Sequence, residues 1–488
     1  MRRIIALFKQ NSLLAGFLIF YFLIIFYKLA AFPMPFFDWD ESIYAQVGKE
    51  MVAQKSFVPL WQGQAWLEKP PLVPFINGIL INNVPITPEI STRVLSLILS
   101  VIALLLIYAW SNKIFKSKKI SLFAVILTAF NPIFLQRAQT LNTDIFLLIG
   151  WFGYFLYFSN FWLGLFFLFL GVFSKSLLGF YPLIILGLFY VYQLIGKKIS
   201  KNQFLKFAKK SVLQVFILSI WFFLMLFVYK ETFIKVHFTD HLLRRVTSSI
   251  ESHFGKRTFY IDVFISQYSY FLLAALASLI IIFKDYISKK IKDDKLFLSL
   301  FLLPWFLFLN LTKTKISWYL YPAIPQVTFL LAYPLVLIKK HKYLLNFLVL
   351  TLFLSLSYRV IFTDNFFNSF YSAYDAIYKV SWLAKEKCSS LYVLISPTDR
   401  NTYDTLRSMN LLISTSEMYG PHPSIIYYFE KKVSLIYNKN KFISKIPSIK
   451  KTACLTLEKV DLDFNPQKYN LNLIKNFDSQ YLFQKRSL

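Results

Sequence analysis

Acidic side chains gather in the stretch FFDWDESIYAQ, which places Asp38, Asp40 and Glu41 directly after the first long apolar segment. A carboxylate at a membrane boundary can take a proton from an acceptor hydroxyl or hold a metal ion. Asp40 also precedes a helical pattern and would cap that helix well. The cluster is therefore a candidate catalytic site, with helix capping in a solvated loop as the structural alternative.

A second charged motif, WLEKPPLVPF, sets Glu68 and Lys69 beside Pro70 and Pro71. A lysine held by stiff backbone near a membrane can pair with a lipid phosphate. Two uses are open to Glu68, which would either bind a divalent metal ion or orient the lysine. A surface ion pair on a proline-stiffened turn explains the same residues without function.

Two further ionisable residues stand at the ends of short apolar runs, Asp144 in RAQTLNTD and Lys175 in FSKSLLG. Ionisable groups inside or beside membrane spans often mark a substrate path. A lysine can equally extend from a span end to the interface as an anchor. The sequence leaves both interpretations open.

The segment KVHFTDHLLRRVTSSIESHFGKR adds histidines and arginines. His237 and His241 are four residues apart, a spacing that metal pairs use, but no HExxH motif accompanies them. Arg244 and Arg245 suit phosphate recognition better, because a guanidinium pairs with phosphate oxygens through two parallel hydrogen bonds.

A last motif, TKTKISWYLYPAIP, carries Lys313 and Lys315 just before Trp318, Tyr319 and Tyr321. Aromatic residues at this position either form an ordinary interfacial belt or line a pocket next to the lysines.

The composition indicates that membrane-spanning segments position these residues. Of the 488 residues, 56% are hydrophobic and 19% are aromatic, which is more apolar surface than a soluble chain can bury. Apolar runs near the length that crosses about 30 Å of hydrocarbon recur along the chain and predict about eleven spans. The predicted spans are 11–31, 91–111, 120–136, 142–158, 161–174, 177–195, 211–229, 262–283, 296–311, 317–338 and 343–362.

The net charge of +29 is explained by topology. Lysines cluster in alternate loops, as the positive-inside rule requires of cytoplasmic connections, so the basicity does not indicate a nucleic-acid partner. With the amino terminus inside, every candidate cluster lies on the opposite, periplasmic face of an inner membrane. We therefore expect a 1–362 transmembrane domain with long outer loops at 32–90 and 230–261, and membrane lipids around it. The pattern DESIYAQVGKEMVAQ predicts an amphipathic helix lying on the membrane.

The composition changes after Phe362, where β-rich runs alternate with polar stretches. Strands are predicted at 391–396, 410–415, 433–438 and 453–458, with one helix in PSIIYYFEKK, so residues 363–488 form a small α/β domain outside the membrane. Both cysteines, Cys388 and Cys454, fall in this domain. They either pair as a disulfide or remain two buried thiols.

Taken in order, the motifs DWDESIYA, LEKPPL, LNTD, SKSLLG, DHLLRR and KISWYLYPAIP resemble the superfamily of aminoarabinose (lipid A) transferases and dolichyl-phosphate-mannose protein mannosyltransferases, which has the GT-C fold. The resemblance covers residues 10–340. It implies an α-helical polytopic membrane protein with a long first periplasmic loop. The small C-terminal α/β domain predicted above resembles the family's periplasmic C-terminal domain in position only. The chain departs from aminoarabinose transferases at Ile43, where those enzymes usually carry an arginine.

The resemblance also implies roles for the candidate residues. Asp40 would be the principal catalytic carboxylate and Asp144 the second acid of the site. The remaining implied roles are donor-phosphate binding by Lys69, Lys175, Arg244 and Arg245, a substrate pocket of Glu41, Tyr44, His241, Tyr319 and Tyr321, and a metal-binding or structural role for Glu68.

The implied activity is inverting transfer of a sugar from a polyprenyl (undecaprenyl) phosphate donor to a periplasmic envelope acceptor. Lipid A is the first expectation for the acceptor, and a protein hydroxyl is the alternative. A divalent metal ion stays an open expectation, and no nucleotide cofactor is expected because the donor is lipid-linked. A transporter or flippase for lipid-linked sugars is the alternative from outside the enzymes, although transporters place their ionisable residues near mid-membrane between repeated halves.

Overall fold

Helices dominate the chain up to residue 364 in the computed structural model, which describes residues 11–364, 366–367, 376–413 and 415–485. The α-helices of this region are α1 (Ser12–Ala31), α2 (Asp40–Ala53), α3 (Leu72–Asn83), α4 (Pro88–Phe115), α5 (Lys118–Ala129), α6 (Pro132–Arg137), α7 (Asp144–Tyr157), α8 (Phe161–Lys175), α9 (Tyr181–Ile195), α10 (Lys201–Phe233), α11 (Arg244–Thr247), α12 (Phe259–Tyr268), α13 (Leu272–Ile287), α14 (Asp293–Leu300), α15 (Leu303–Leu311), α16 (Ile324–Ala332) and α17 (Lys342–Tyr358). A π-helical segment, Ile234–Leu243, continues α10, and a short hairpin of β1 (Leu60–Trp61) and β2 (Gln64–Ala65) lies in the first loop.

Seven helical segments among the described residues are long and apolar enough to cross a membrane, and a pair bent by 41° would make eight. The chain is thus a multi-pass membrane protein, as predicted, but with fewer full-length spans than the expected eleven. The seven segments are Ser12–Ala31, Pro88–Phe115, Phe161–Ile195, Lys201–Thr247, Phe259–Ile287, Ser317–Val336 and Lys342–Thr363, and the bent pair is Asp293–Leu300 with Leu303–Leu311.

The difference arises where the predicted spans are short. The span predicted at 120–136 is divided between α5 and α6 at Asn131, whose side chain caps the second helix. Helix α7 has 14 residues, about 21 Å of helix, which is less than the thickness of a bilayer core.

The backbone between α8 and α9 turns at Ser176, which has a φ of 56°. Gly179 then lies so close to α8 that an added Cβ would stand 2.1 Å from the backbone nitrogen of Val172. Only glycine fits there, where the chain makes a tight turn beside Lys175.

Helix α2 does not turn its apolar face to a membrane surface as predicted. Its residues from Glu41 to Gly48 are all buried, and its backbone meets that of α3 directly. An added Cβ at Gly78 would be 2.0 Å from the carbonyl oxygen of Gly48. The apolar positions that suggested a membrane face pack inside the protein instead.

The C-terminal domain is a small α/β unit. Its sheet has the order β4-β3-β5-β7-β6, with β4, β3 and β5 parallel and β7 and β6 antiparallel additions. Its strands are β3 (Ser390–Leu394), β4 (Lys432–Ile436), β5 (Cys454–Glu458), β6 (Leu471–Phe477) and β7 (Gln480–Lys485), and its helices are α18 (Ala376–Lys387), α19 (Pro397–Ser408), α20 (Ser416–Tyr419), α21 (Ser424–Phe429) and α22 (Lys439–Lys445).

Three predicted strands of this domain and the predicted helix form, but the strand at 410–415 does not within its described residues. The carbonyl groups of Leu411 and Leu412 instead accept hydrogen bonds from Glu251 and Arg244 of the second outer loop. The backbone carbonyl groups that a strand would use therefore form hydrogen bonds between the two domains instead.

The two cysteines form a disulfide, with the Cα atoms of Cys388 and Cys454 5.6 Å apart. This bond ties Cys388, two residues before β3, to the first residue of β5. Disulfides persist in oxidising compartments, which agrees with a domain outside the cytoplasm.

The C-terminal domain docks on the first outer loop. The backbone of Phe36 donates to the hydroxyl of Tyr428 at 2.6 Å and accepts from Tyr378 at 2.9 Å. Lys49 pairs with Glu430 at 2.7 Å. The loop and the domain therefore stand on the same side of the bundle, as the lysine pattern predicts.

Candidate active site

A cavity of about 680 Å³ lies between the helical bundle and the C-terminal domain. Most of the residues singled out from the sequence line it, although they come from six separate motifs of the chain. Those lining it are Asp40, Tyr44, Glu68, Lys69, Asp144, Lys175, His241, Arg245 and Tyr319.

The base of the cavity is built by two antiparallel helices whose ends meet. Helix α7 begins at Asp144, and α8 ends at Lys175, so the carboxylate and the ammonium pair directly. The N-terminal end of a helix also favours a negative charge. The Lys175 ammonium lies 5.3 Å from the centre of the Tyr319 ring. Asp144 is thus a buried carboxylate that holds a cation in place.

Arg137 is a member of this cluster that sequence reasoning missed. Its Nε lies 3.4 Å from Asp144, its other end lies 4.0 Å from Asp40, and its guanidinium stands 4.6 Å from the centre of the Trp318 ring. The signal was present, since an arginine inside an apolar stretch is costly unless it is paired. Arg137 therefore links the carboxylates of Asp40 and Asp144 electrostatically.

The two carboxylates nevertheless differ in environment. The Asp144 side chain is 4% exposed and contacts two cations, whereas that of Asp40 is 30% exposed and, among the described residues, has one ion contact, with Arg137 at 4.0 Å. Asp40 is therefore the acid that is available to a bound molecule.

Lys69 reaches the cavity from the turn that begins with Glu68. Its ammonium donates a hydrogen bond to the hydroxyl of Tyr44 and lies 4.6 Å from the centre of that ring. Burial, reinforced by the charges of Asp40 and Asp144, raises the pKa of Tyr44 well above its usual value. The phenol is therefore neutral, so no negative charge forms on Tyr44 beside the Lys69 ammonium.

Glu68 is buried, with the ring of His241 3.3 Å from its carboxylate and the hydroxyl of Tyr419 donating to it. Burial alone would raise its pKa. The charge and hydrogen bond of His241, together with hydrogen bonds from Thr415 and Tyr419, outweigh burial and lower the pKa of Glu68 to about 2. The carboxylate is ionised over the whole physiological range.

The residues around Glu68 fit a metal ion poorly. Among the described residues, no group of three or more His, Cys, Asp and Glu side chains is placed to hold one. Both ring nitrogens of His237 are engaged, at 2.9 Å to the Leu67 carbonyl and 2.6 Å to the Ser176 hydroxyl. We therefore derive no step through a metal.

The side of the cavity nearest the second outer loop carries Arg245. Its guanidinium contacts the Tyr319 hydroxyl at 3.3 Å and the Glu251 carboxylate at 3.0 Å. Because Glu251 is a single carboxylate on a five-donor group, Arg245 retains donors for an anionic ligand.

Three residues predicted for the site lie elsewhere. Glu41 is enclosed in a bidentate ion pair with Arg93, at 2.6 and 3.1 Å, and also accepts from the backbone of Leu141 at 2.7 Å. The cluster FFDWDESIYAQ thus divides: Asp40 faces the cavity, while Glu41 holds the first loop to α4.

Arg244 points away from the cavity, to Asp240 at 3.2 Å and to the backbone of Asn410 and Leu412 in the C-terminal domain. Tyr321 is fully buried behind the cavity wall, where its ring stacks on Phe134. Of the arginine pair, Arg245 alone lines the cavity.

The rest of the wall divides into two kinds of surface. Side chains of the helical bundle make an apolar face, and the C-terminal domain adds a mixed face of hydroxyls and leucines. The apolar face includes Leu147, Leu177, Leu178, Leu243, Trp305, Phe308, Leu309 and Ile316, and the mixed face consists of Thr402, Tyr403, Leu406, Leu412, Ser416 and Pro421.

Together these features define a multi-pass membrane protein with a charged and partly apolar cavity between its helical bundle and its C-terminal domain. The family model described as dolichyl-phosphate-mannose-protein mannosyltransferase matches residues 68–227. No curated protein sequence matches the chain.

Two solved structures of ArnT from Cupriavidus metallidurans resemble the chain over nearly its full length. The one bound to undecaprenyl phosphate gives a TM-score of 0.65 at 11% identity and covers 98% of each chain. The apo structure gives 0.61 at 11% identity and covers 96% of this chain and 98% of that one. The chain therefore has the GT-C fold of ArnT, and the fold that its motifs imply is confirmed.

Proposed function

We propose that the chain is a glycosyltransferase that moves a sugar from a polyprenyl phosphate to an acceptor on the periplasmic face of the inner membrane. The observation that carries this proposal is the joining of an acidic and cationic cluster to an apolar wall within one cavity. A sugar linked through phosphate to an isoprenoid matches this cavity, because its polar and anionic end is joined to an apolar chain.

The donor end of the cavity is assigned by charge. Lys69, Lys175 and Arg245 present cations to one space, and phosphate is the group that lysine and arginine recognise together. The apolar face from the bundle suits the first isoprene units. The likeness in fold to ArnT, whose structure was solved with undecaprenyl phosphate, supports the same donor class here.

The reaction is a single displacement with inversion. The acceptor oxygen forms a bond to the anomeric carbon as the bond from that carbon to the phosphate oxygen breaks, and the electron pair leaves with the phosphate. Preorganised cations stabilise the charge that grows on this leaving group. The cations around Asp144 and Tyr44 are fixed before the substrate arrives, so little reorganisation is needed.

Asp40 serves the acceptor. If the acceptor is a hydroxyl, Asp40 takes its proton as general base. If the acceptor is a phosphate of lipid A, it is already ionised and Asp40 positions it. Asp144 is unsuited to the role of base, because Arg137 and Lys175 both hold its carboxylate.

Purified wild-type protein and the variants Asp40→Asn and Lys69→Ala test this function with radiolabelled polyprenyl phosphate sugars and an envelope extract. Lys49→Ala is the matched control, since Lys49 lies on the same helix as Asp40 but pairs with Glu430 outside the cavity. We expect the wild type and the control to move label, and both site variants to lose transfer.

Separation of lipid A from protein identifies the acceptor, with lipid A as the expected product and protein O-glycosylation as the alternative. Labelled lipid that crosses a vesicle membrane unchanged would support a transporter and contradict the proposal. Equal transfer by all of the variants would contradict the assignment of the site.

A further inference from the structure

A five-residue segment of the C-terminal domain, Thr415 followed by Ser416–Tyr419, contacts the site at three places. It touches the turn of Glu68 in the first outer loop, His241 in the π-helical segment and Glu251 in the second outer loop. All three of these residues line the cavity. A single short piece of the outer domain therefore connects parts of the site that are far apart in sequence.

Tyr419 makes the most enclosed of these contacts. Its hydroxyl donates to Glu68 and accepts from the indole nitrogen of Trp66, so both capacities of the group are used. Its ring meets Trp61 edge to face at 5.0 Å and Trp39 at 5.9 Å. Tyr419 is 2% exposed, so this aromatic box has one fixed arrangement.

The position of the box relates Tyr419 to the charges of the site. Trp39 immediately precedes Asp40, and Glu68 immediately precedes Lys69. The rigid prolines after Lys69 leave that turn little freedom of its own. A group that fixes Trp39 and Glu68 thereby limits where the carboxylate of Asp40 and the ammonium of Lys69 point.

Ser416 acts in the same way on the other side of the cavity. Its hydroxyl donates to one oxygen of Glu251 at 2.9 Å, while Arg245 holds the other oxygen at 3.0 Å. Glu251 has a φ of 55°, a left-handed backbone conformation that costs energy for a residue with a side chain. The serine helps to hold Glu251, and through it Arg245, in this arrangement.

We propose that Tyr419 and Ser416 are positioning residues of the transferase, and that the C-terminal domain sets the geometry of the donor-phosphate cations from outside the membrane. This inference rests on the proposed function. It gives the outer domain a part in the reaction beyond that of an attached module.

The test measures undecaprenyl phosphate binding and sugar transfer for Tyr419→Phe and Ser416→Ala. The first substitution keeps the aromatic ring and removes the hydrogen bond to Glu68. Loss of a hydrogen bond to a charged group corresponds to about a tenfold change. We expect about a tenfold weaker Kd for undecaprenyl phosphate and a matching fall in kcat/KM, with a smaller effect for Ser416→Ala that Ser416→Thr reverses by restoring the hydroxyl.

Glu430→Gln is the matched control for docking. Glu430 pairs with Lys49 and Lys385 at 2.7 Å each, at the interface of the same domain but outside the cavity. It should leave Kd and kcat/KM near the wild-type values. Equal effects of Glu430→Gln and Tyr419→Phe would show that the segment only docks the domain, and would overturn the positioning role.

The two readouts separate this inference from the proposed function. A wild type that binds undecaprenyl phosphate but transfers no sugar would contradict the transferase, while a weaker Kd of Tyr419→Phe would still support positioning. Unchanged binding and transfer in Tyr419→Phe would overturn the inference alone. A wild type that fails to bind undecaprenyl phosphate would overturn the donor assignment and the positioning role with it.

Discussion

The base of the cavity and its outer cover are constructed differently. The base consists of Asp144, Arg137 and Lys175, which stand at the ends of short helices and satisfy each other within the bundle. The cover consists of loop residues, Asp40 and Glu68 among them, whose neighbours include the C-terminal domain. The charged groups of the base are therefore held in place by their ion pairs, while the cover contains Asp40, the acid that is available to react.

The largest effect should come from the one reactive group of the cover. Asp40→Asn keeps the shape of the side chain and removes its charge and its basicity. For a hydroxyl acceptor we expect transfer to fall about 10²- to 10⁴-fold, the usual contribution of a general base. The measurement is initial rate against acceptor concentration, and a variant within threefold of wild type would show that Asp40 is not the base.

A substitution at the base of the cavity should lower the stability of the protein. Arg137→Ala leaves the buried Asp144 with Lys175 alone, and breaking a buried ion pair costs about 3 kcal/mol. We expect a lower unfolding temperature in detergent together with lost transfer. Arg137→Lys should recover part of the stability, because a cation is restored, and full stability of Arg137→Ala would contradict a structural role for the cluster.

The disulfide should matter only to the C-terminal domain that contacts the cover. Replacing Cys388 and Cys454 by serine removes a covalent link in the C-terminal domain, and losing a native disulfide typically costs about 2 to 5 kcal/mol. We expect proteolysis to cut the outer domain of the double variant more readily while the bundle stays intact. Uniform digestion of both parts would show that the two regions unfold together.

The smallest effect is a pH dependence that belongs to Glu68. Its pKa is about 2, compared with an ordinary value of 4.5, because His241 and its hydrogen-bond partners outweigh burial. A lowered carboxylate pKa adds stability that is fully present above pH 4.5 and is lost as the pH falls toward 2. The unfolding temperature of Glu68→Gln should fall less steeply than that of wild type across this window, and parallel curves would contradict the assignment.

The sequence predicts which individual residues belong to this site better than it predicts the contacts between them. Asp144 and Lys175 are candidates because ionisable groups beside membrane spans often mark a substrate path, and the structure brings the two into contact. Glu41 could not be told from Asp40 by type, since the distinction depends on Arg93, which follows about fifty residues later on another helix.

The fold was predicted in class but not in detail, and the limits are physical. Apolar runs indicate burial but not where a helix breaks, so the sequence predicts two separate spans, 161–174 and 177–195, on either side of the turn at Ser176. The contact of Tyr419 with Glu68 joins residues 351 positions apart. No local pattern encodes such a pairing, because it depends on how the folded C-terminal domain packs on the loops.

The central claim is that the cavity transfers a sugar from a polyprenyl phosphate. The most direct measurement follows a radiolabelled sugar from undecaprenyl phosphate in the presence of envelope extract, with wild-type protein and Asp40→Asn side by side. The account predicts label on the lipid A or protein fraction with wild type only. Label that stays on undecaprenyl phosphate across the available sugars, or that moves equally with both proteins, would contradict it.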